Sequence, residues 1–256
     1  IKALTNYFEL KKEKFTRQIK YFFNVLPNTK ELIDLNKSEK TVNNHKIKPI
    51  FIVGVPRCGS TLTEKIIASS SKYIPMGEET GILDKIIKQN IEKKKLLNFD
   101  KKNFQMELLE EYNYKGLVQK SSGYTFTDKS LENFFYISYI KEIFPNAKVV
   151  HCRRDALSSI MSVFQNNMIN IGWAHNLEYI FKYFDIYYRM LENFKKIFPN
   201  FIYELQYEKF VNDPEIESKK LLKHCNLPWD KKCLEFYKRK DLISKTASNI
   251  QIRQAV

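Results

Sequence analysis

The stretch Phe51-Ile-Val-Gly-Val-Pro-Arg-Cys-Gly-Ser-Thr-Leu62 determines how the rest of the chain is interpreted. An apolar, β-branched run leads into a turn with a glycine at each end, and two hydroxyl residues that can cap a helix follow. Glycines let backbone N–H groups approach an anion, and the N-terminus of a helix adds partial positive charge. The stretch therefore predicts a buried strand, a phosphate-binding loop and a helix.

The loop differs from the nucleoside triphosphate pattern G-x-x-x-x-G-K-[ST], because Ser60 stands where that pattern has a lysine. Its basic residue is Arg57, inside the loop, and a planar guanidinium group suits phosphate or sulfate oxygens. An ordinary strand-to-helix turn is the simpler alternative, but the glycines, arginine and hydroxyls together favour an anion site. A cysteine-dependent phosphatase is excluded, because its arginine would follow Cys58 by six positions, where this chain has Glu64.

The length and composition suit one domain, or one domain with an appendage. The chain has 256 residues, 43% of them hydrophobic, and a formal net charge of +14, which suits an anionic partner. The four cysteines show neither zinc-ligand spacing nor a disulfide framework, so we expect no metal site and a reducing, cytoplasmic setting. No run approaches the ~20 apolar residues of a membrane helix. Because the chain begins at Ile1 rather than Met, an upstream signal or anchor is left open.

Strand signals alternate with helix signals along the chain. Residues 1–47 are Lys-rich with apolar residues at helical spacing, which predicts a helical segment before a domain at 48–256. Strands are predicted at about residues 50–55, 123–127, 147–151 and 201–205, and helices at about 60–68, 80–97, 131–144, 155–167, 176–198 and 214–225. The alternation indicates an α/β fold, a P-loop-type three-layer sandwich in which helices flank a mainly parallel central sheet.

Loops that follow parallel strands meet at one edge of such a sheet, where ligands bind. The loop after Val55, the turn Thr127-Asp-Lys129 and the turn Cys152-Arg-Arg154 are therefore expected to converge. Ser162 follows the last arginine by two helical turns, so the two side chains could hold a second phosphate. Helix capping alone explains the acidic residues of Met76-Gly-Glu-Glu-Thr80. A functional role for this motif is supported only by its position shortly after the loop helix.

These pieces together resemble the sulfotransferase family that uses 3′-phosphoadenosine-5′-phosphosulfate (PAPS), from about residue 48 to the end. The loop at residues 55–62 is similar to the family's 5′-phosphosulfate loop, and residues 154–162 are similar to its 3′-phosphate motif. Gly77-Glu-Glu-Thr80 resembles the tyrosylprotein sulfotransferase branch. Bacterial members of that branch often carry tetratricopeptide repeats upstream, which would suit the helical residues 1–47.

The resemblance implies the transfer of a sulfuryl group from PAPS to an acceptor hydroxyl, without a metal. It implies that Glu79 is the catalytic base and that Arg57 and Lys129 are its catalytic partners. Cys58 departs from the family because it replaces the usual loop serine, and the tail stops at Val256, before the family's usual end. Cofactor contacts are implied for Pro56, Arg57, Cys58, Gly59, Ser60, Thr61 and Leu62 in the loop, for Arg154, Ser162 and Tyr207, and for Ser248 and Arg253 in the tail.

The sequence leaves the acceptor open. The Gly-Glu-Glu-Thr motif favours tyrosine in an acidic peptide, which a basic surface would attract, and a carbohydrate or small-molecule hydroxyl is the alternative. A P-loop kinase would require magnesium-dependent ATP turnover, which the missing lysine argues against. A basic nucleic-acid-binding module has little support because no nucleic-acid-binding motif is recognisable, so nucleic acid is not an expected partner. A homodimer is one arrangement left open.

Overall fold

The computed structural model describes residues 12–14, 16, 46–70, 74–92, 101–166, 168 and 171–239. Most of the predicted helical segment 1–47 lies outside these residues, as do Ser248 and Arg253 of the tail. The division of the chain between residues 47 and 48 therefore stays a prediction. None of the helices in the described ranges is both long enough and apolar enough to cross a membrane.

In the described part of the chain, four parallel strands form one sheet in the order β2-β1-β3-β4. They are β1 (Lys48–Gly54), β2 (Thr125–Asp128), β3 (Lys148–Arg153) and β4 (Ile202–Gln206). β1 has a neighbour on each side and is buried after its first residue, which suits its apolar and β-branched sequence. The predicted parallel sheet is confirmed, with each strand close to its expected position.

The helices of the described residues lie mostly between successive strands. Asp155 accepts a hydrogen bond from the N–H group of Ser158, so it caps the helix that begins at Ala156, as predicted. The α-helices are α1 (Ser60–Ala68), α2 (Ile82–Glu92), α3 (Lys101–Tyr114), α4 (Ile137–Ile143), α5 (Ala156–Gln165), α6 (Leu177–Ile197), α7 (Tyr207–Asn212) and α8 (Pro214–His224), with 3₁₀ segments at Leu131–Tyr136, Gly172–His175 and Lys231–Lys238.

The predicted helix at residues 131–144 is divided into two parts. The 3₁₀ segment Leu131–Tyr136 precedes α4, and its residues 133–136 are all buried. A surface helix would expose part of every turn, so this segment is a core element rather than an amphipathic one. Its Phe134 ring packs edge-on against Tyr187 of α6, with ring centroids 5.2 Å apart. The segment therefore fills the space between β1 and α6.

The order of the strands indicates which end of the sheet can form a binding site. The chain leaves β1 for β2 and then crosses to β3 on the other side of β1. Strand order thus reverses between β1 and β3, where α/β sheets form a crevice at the carboxyl ends of their strands. Gly54 lies beside Cys152, and Phe51 lies beside Asp128. The segments that follow β1, β2 and β3 consequently reach the same edge, as predicted.

Candidate active site

The loop after β1 turns tightly at two residues with positive φ, Arg57 at 72° and Gly59 at 92°. A Cβ atom on Gly59 would lie 2.6 Å from Cδ2 of Tyr207, so the backbone conformation and the neighbouring ring both require glycine. Gly59 is the N-cap of α1 and makes no side-chain hydrogen bond to the first turn. The prediction that Ser60 or Thr61 caps this helix is therefore wrong, because both residues already lie inside it.

The start of α1 has the chemistry of an anion site. Backbone N–H groups in the first turn of a helix have no acceptor within the helix, and the helix dipole adds partial positive charge. The first turn of α1 consists of uncharged residues, and the hydroxyl residues Ser60 and Thr61 are buried. Pro56, which precedes the turn, is buried as well. This combination fits the phosphosulfate group that the loop is predicted to hold.

The side chain of Cys58 packs under the loop, against β1 and β3. A Cβ atom on Gly54 would lie 2.7 Å from Cys58 Sγ, so the glycine provides the space that the sulfur occupies. A hydrogen bond with Cys152 lowers the pKa of Cys58, and the same contact together with burial raises the pKa of Cys152. Because Cys58 is only 1% exposed, it is suited to contact a bound anion through its backbone rather than its sulfur.

Four residues from three segments form what we call the arginine cluster: Arg57, Arg154, Ser162 and Tyr207. Arg57 Nε donates to Ser162 Oγ at 3.1 Å, and Arg154 Nη1 donates to the carbonyl oxygen of Arg57, also at 3.1 Å. The Arg154 guanidinium group lies 4.8 Å from the centre of the Tyr207 ring. Burial and then the positive charge of Arg154 lower the pKa of Arg57. An anion bound here would relieve the repulsion between the two cations.

On the β2 side of the site, Lys129 Nζ donates to Glu79 Oε1 at 3.2 Å. The Lys129 side chain is 0% exposed, whereas that of Glu79 is 58% exposed. A buried ammonium group requires a partner, because desolvation of an unpaired charge is costly. The contact therefore holds a buried cation beside a carboxylate that solvent and a ligand can reach.

The segment that carries Glu79 is fixed by the carboxylate network, which we define as Glu64, Glu78, Glu79, Thr127 and Lys129. Glu64 Oε1 accepts from Thr127 Oγ1 at 2.7 Å and from the N–H group of Glu78 at 3.0 Å. Burial raises the pKa of Glu64 to about 7, although the charge of Lys129 and the hydrogen bond from Thr127 both lower it.

The far end of the Glu79 segment is held by Asp128, the last residue of β2. Its Oδ2 atom accepts from Thr80 Oγ1 and from the hydroxyl group of Tyr112 of α3, both at 2.7 Å. The N–H group of Ser130 donates to Oδ1 of the same carboxylate at 2.9 Å. The threonine of the Gly-Glu-Glu-Thr motif thus anchors the motif to the sheet.

Sequence reasoning missed the roles of Glu64 and Thr127. The one available signal was an acidic residue in a helix whose apolar residues, including Leu62 and Ile66, indicate burial on several sides. Nothing in the local pattern connects Glu64 with Thr127, since 63 positions separate them.

The predicted site residues that the structure describes all lie at the carboxyl edge of the sheet, in the β1 loop, the arginine cluster and the carboxylate network. Ser248 and Arg253 lie outside the described residues. Within the described ranges, His, Cys, Asp and Glu side chains form no group of three or more that could hold a metal ion.

Comparison with protein families gives one matching model, described as the sulfotransferase family, over residues 49–231. A protein of Aquifex aeolicus is 33% identical over 224 residues, which are 82% of this chain and 29% of that protein. Protein-tyrosine sulfotransferase A of Caenorhabditis elegans is 26% identical over 219 residues, which are 78% of this chain and 54% of that protein. Protein-tyrosine sulfotransferase 1 of Danio rerio is 27% identical over 227 residues, which are 76% of this chain and 58% of that protein. The chain spans less than two thirds of each of these relatives.

Two solved structures share the fold. The sulfotransferase domain from the Synechococcus PCC 7002 olefin synthase has a TM-score of 0.60 at 19% identity, and the match covers 85% of this chain and 88% of that one. The sulfotransferase domain from the curacin biosynthetic pathway has a TM-score of 0.58 at 19% identity, over 82% of this chain and 83% of that one. The predicted α/β fold of the P-loop type is thereby confirmed.

Proposed function

The chain belongs to the sulfotransferase family, and we propose that it transfers a sulfuryl group from PAPS to the hydroxyl group of a tyrosine in a protein. The observation that carries the proposal is the contact between the buried Lys129 Nζ and the exposed Glu79 carboxylate, 3.2 Å apart. It pairs a base with a fixed cation at the sheet edge that also holds a glycine loop and two arginines. Relatives named protein-tyrosine sulfotransferases support the acceptor.

We assign the donor site to the first turn of α1 and to the arginine cluster. The N–H groups of the first turn bind the 5′-phosphosulfate, while Arg154 and Ser162 bind the 3′-phosphate and Tyr207 lines the site. PAPS supplies a sulfuryl group that is activated by its bond to a phosphate leaving group. The site needs no lysine at position 60, because the helix N-terminus and guanidinium groups already provide positive charge for the anion.

Glu79, Lys129 and Arg57 carry the transfer. Glu79 removes the proton of the acceptor hydroxyl, and its 58% exposure leaves room for an acceptor to reach it. Lys129 stabilises the negative charge that develops on the transferred group and on the bridging oxygen, and Arg57 does so from the loop. Lys129 is already buried and hydrogen-bonded, so little reorganisation accompanies this stabilisation.

A thermal-shift measurement tests the donor site, with 3′,5′-adenosine bisphosphate compared with ATP. A ligand that binds only the folded state at 100 times its Kd stabilises the protein by about 2.7 kcal/mol. We expect a rise in Tm with the bisphosphate and little change with ATP, with or without magnesium. Preferential stabilisation by magnesium ATP would contradict the proposal and favour a P-loop kinase.

A transfer assay tests the acceptor, with labelled PAPS and a peptide in which acidic residues flank one tyrosine. The net charge of +14 should favour such a peptide over a neutral one. The matched control replaces the tyrosine with phenylalanine, which lacks the hydroxyl group. Label on a carbohydrate or a small phenol, but not on the peptide, would refute the tyrosine acceptor and leave the donor assignment intact.

A further inference from the structure

Glu64 is a buried carboxylate that none of the proposed catalytic roles uses. It lies in α1, four residues after Ser60, and is 0% exposed. Its Oε1 atom accepts the two hydrogen bonds from Thr127 and Glu78, and its Oε2 atom is buried without a hydrogen-bond partner among the described residues. Desolvation of a carboxylate costs free energy that these two hydrogen bonds only partly offset. We therefore expect Glu64, which lies in a fully buried helix, to have a role that offsets the cost of burying its carboxylate.

Its contacts help to fix the backbone of Glu78, the residue before Glu79. Glu78 has a φ of 52°, a left-handed conformation that is unfavourable for residues with a Cβ atom. The N–H group of Glu78 donates to Glu64, and its carbonyl oxygen accepts from the N–H group of Lys129 at 2.7 Å. The peptide groups on both sides of Glu78 are therefore held, one by α1 and the other by Lys129, which follows β2.

Thr127 extends the same arrangement to the residues before Glu78. Thr127 Oγ1 donates to Glu64 and accepts from the N–H group of Gly77 at 3.2 Å. The N–H group of Thr127 donates to the carbonyl oxygen of Pro75 at 3.0 Å. A Cβ atom on Gly77 would lie 2.2 Å from the carbonyl oxygen of Thr127, so the segment lies directly against β2.

We propose that Glu64 is a positioning residue that sets the Glu79 carboxylate relative to the phosphate loop. Glu64 lies about one helical turn from Ser60, a rise of roughly 6 Å, on the helix whose first turn faces the donor. That helix therefore fixes the donor groups at its start and, through the Glu78 peptide, the base that faces the acceptor. The catalytic part of this inference rests on the proposed function, whereas its geometric part rests on the observed contacts alone.

The exposure of Glu79 makes such positioning necessary. Its side chain is 58% exposed, so its own packing does little to hold it in place. Displacement of a reacting group by about 1 Å can lower a rate by about 10²-fold. The backbone of the preceding residue is the part of this segment that Glu64 holds, so loss of Glu64 should move Glu79 away from Lys129 Nζ.

Glu64→Met and Glu64→Gln form the test pair. Methionine has a similar size but no oxygen, whereas glutamine keeps an Oε1 acceptor for Thr127 and Glu78. We expect Glu64→Met to lower kcat by about 10²-fold with little change in affinity for 3′,5′-adenosine bisphosphate, and Glu64→Gln to restore most of the rate. The control is Glu217→Met, which removes a buried carboxylate in α8 that pairs with Lys220. It should leave kcat unchanged.

Amide hydrogen exchange provides a readout that does not depend on activity. The Glu78 amide should exchange faster in Glu64→Met than in the wild type or in Glu64→Gln, because only methionine removes its acceptor. If Glu64→Met does not fold, Thr127→Val and Thr127→Ser replace the pair, since serine keeps the hydroxyl group and valine does not. The Gly77 amide is then the reporter, because it donates to Thr127 Oγ1.

The outcomes separate this inference from the proposed function. Unchanged exchange of the Glu78 amide in folded Glu64→Met would overturn the positioning role, as would a glutamine variant no more active than the methionine variant. A wild-type protein that neither binds the bisphosphate nor transfers sulfuryl groups would refute the proposed function. The exchange experiment would still decide whether Glu64 holds the Glu78 peptide.

Discussion

On one side of the candidate site, the buried ammonium group of Lys129 contacts the carboxylate of Glu79, whereas on the other side the guanidinium groups of Arg57 and Arg154 lie close enough to repel. The carboxylate network thus pairs opposite charges and adds hydrogen bonds from α1 and β2. The arginine cluster brings like charges together. Proton transfer and charge stabilisation are favoured when the reacting groups are already held in place, while binding of a dianion is favoured where positive charges lie close together.

By its contacts, Arg57 belongs to the arginine side of the site. The resemblance predicts it as a catalytic partner of Glu79, and its Nε atom donates to Ser162 of α5, in the predicted 3′-phosphate motif. Its carbonyl oxygen accepts from Arg154 of the same motif. Arg57 therefore connects the phosphate loop to the arginine cluster, and its catalytic role stays a prediction.

The largest effect is expected on the carboxylate side, from Glu79→Gln. Glutamine keeps an oxygen that can contact Lys129, but its amide group cannot take up the proton of the substrate hydroxyl group. We expect kcat to fall by about 10²- to 10⁴-fold, as is typical for loss of a general base. Turnover of sulfuryl transfer is the measurement, and unchanged affinity for 3′,5′-adenosine bisphosphate is the control. Turnover close to that of the wild type would contradict the assignment.

Arg154→Ala should selectively weaken binding of the 3′-phosphate at the arginine cluster. Loss of a charged hydrogen-bond donor costs about 1.5–3 kcal/mol, which corresponds to a roughly 10- to 100-fold loss of affinity for 3′,5′-adenosine bisphosphate. Adenosine 5′-monophosphate, which lacks the 3′-phosphate, should bind almost as before when measured by isothermal titration calorimetry.

The adjacent arginine offers a matched control for this prediction. Arg153 is exposed, and its Nη1 atom pairs with Glu204 Oε1 at 3.2 Å. Arg153→Ala should therefore leave the affinity for both nucleotides nearly unchanged. Equal losses in the two variants would show that overall positive charge, rather than the arginine cluster, governs binding.

The two sides should also differ in how pH affects stability, because burial raises the pKa of Glu64 from an ordinary 4.5 to about 7. The folded state then binds the proton more tightly than the unfolded state. The stabilising contribution of Glu64 to the free energy of unfolding is therefore largest below pH 4.5, and it is lost as the pH rises to about 7. Glutamine does not titrate, so the difference between the wild type and Glu64→Gln should change by about 2 kcal/mol between pH 5 and pH 8.

Urea unfolding of both proteins at several pH values measures this difference. Arg154→Ala keeps the carboxyl group of Glu64, so it should give a curve parallel to that of the wild type. Parallel curves for Glu64→Gln and the wild type would show that the carboxylate of Glu64 does not titrate in this range.

Ser162→Ala should have the smallest effect. It removes one neutral acceptor for Arg57 Nε, and a hydrogen bond of this kind contributes about 1 kcal/mol. We expect a loss of roughly fivefold in affinity for the bisphosphate, measured by calorimetry. Ser158→Ala is the control and should bind as the wild type does, because Ser158 lies one turn earlier on the same face but is exposed and is not part of the arginine cluster. A loss as large as that of Arg154→Ala would mean that Ser162 orders the whole cluster.

Much of the fold could be predicted because its signals are local. The apolar run before Gly54, the caps and the proline-asparagine turns locate strands and helices, and their alternation indicates a parallel sheet. The 3₁₀ segment at Leu131–Tyr136 could not be predicted, because the burial of its residues 133–136 depends on β1 and α6. Periodicity reports which residues are apolar, and the packing partner determines the geometry that they adopt.

By itself, the sequence determined the glycine loop after β1, the alternation of strands and helices apart from α3, and the edge where the predicted residues meet. Only the tertiary structure decided that Cys58 packs its sulfur beside Cys152, that Arg57 contacts Ser162 and that Glu64 holds the segment of Glu79. The last two contacts join residues 105 and 14 positions apart. The first follows from the register that sets Gly54 beside Cys152. Local propensities and periodicity determine elements, but side-chain contacts and the pKa shifts that burial causes depend on how those elements pack.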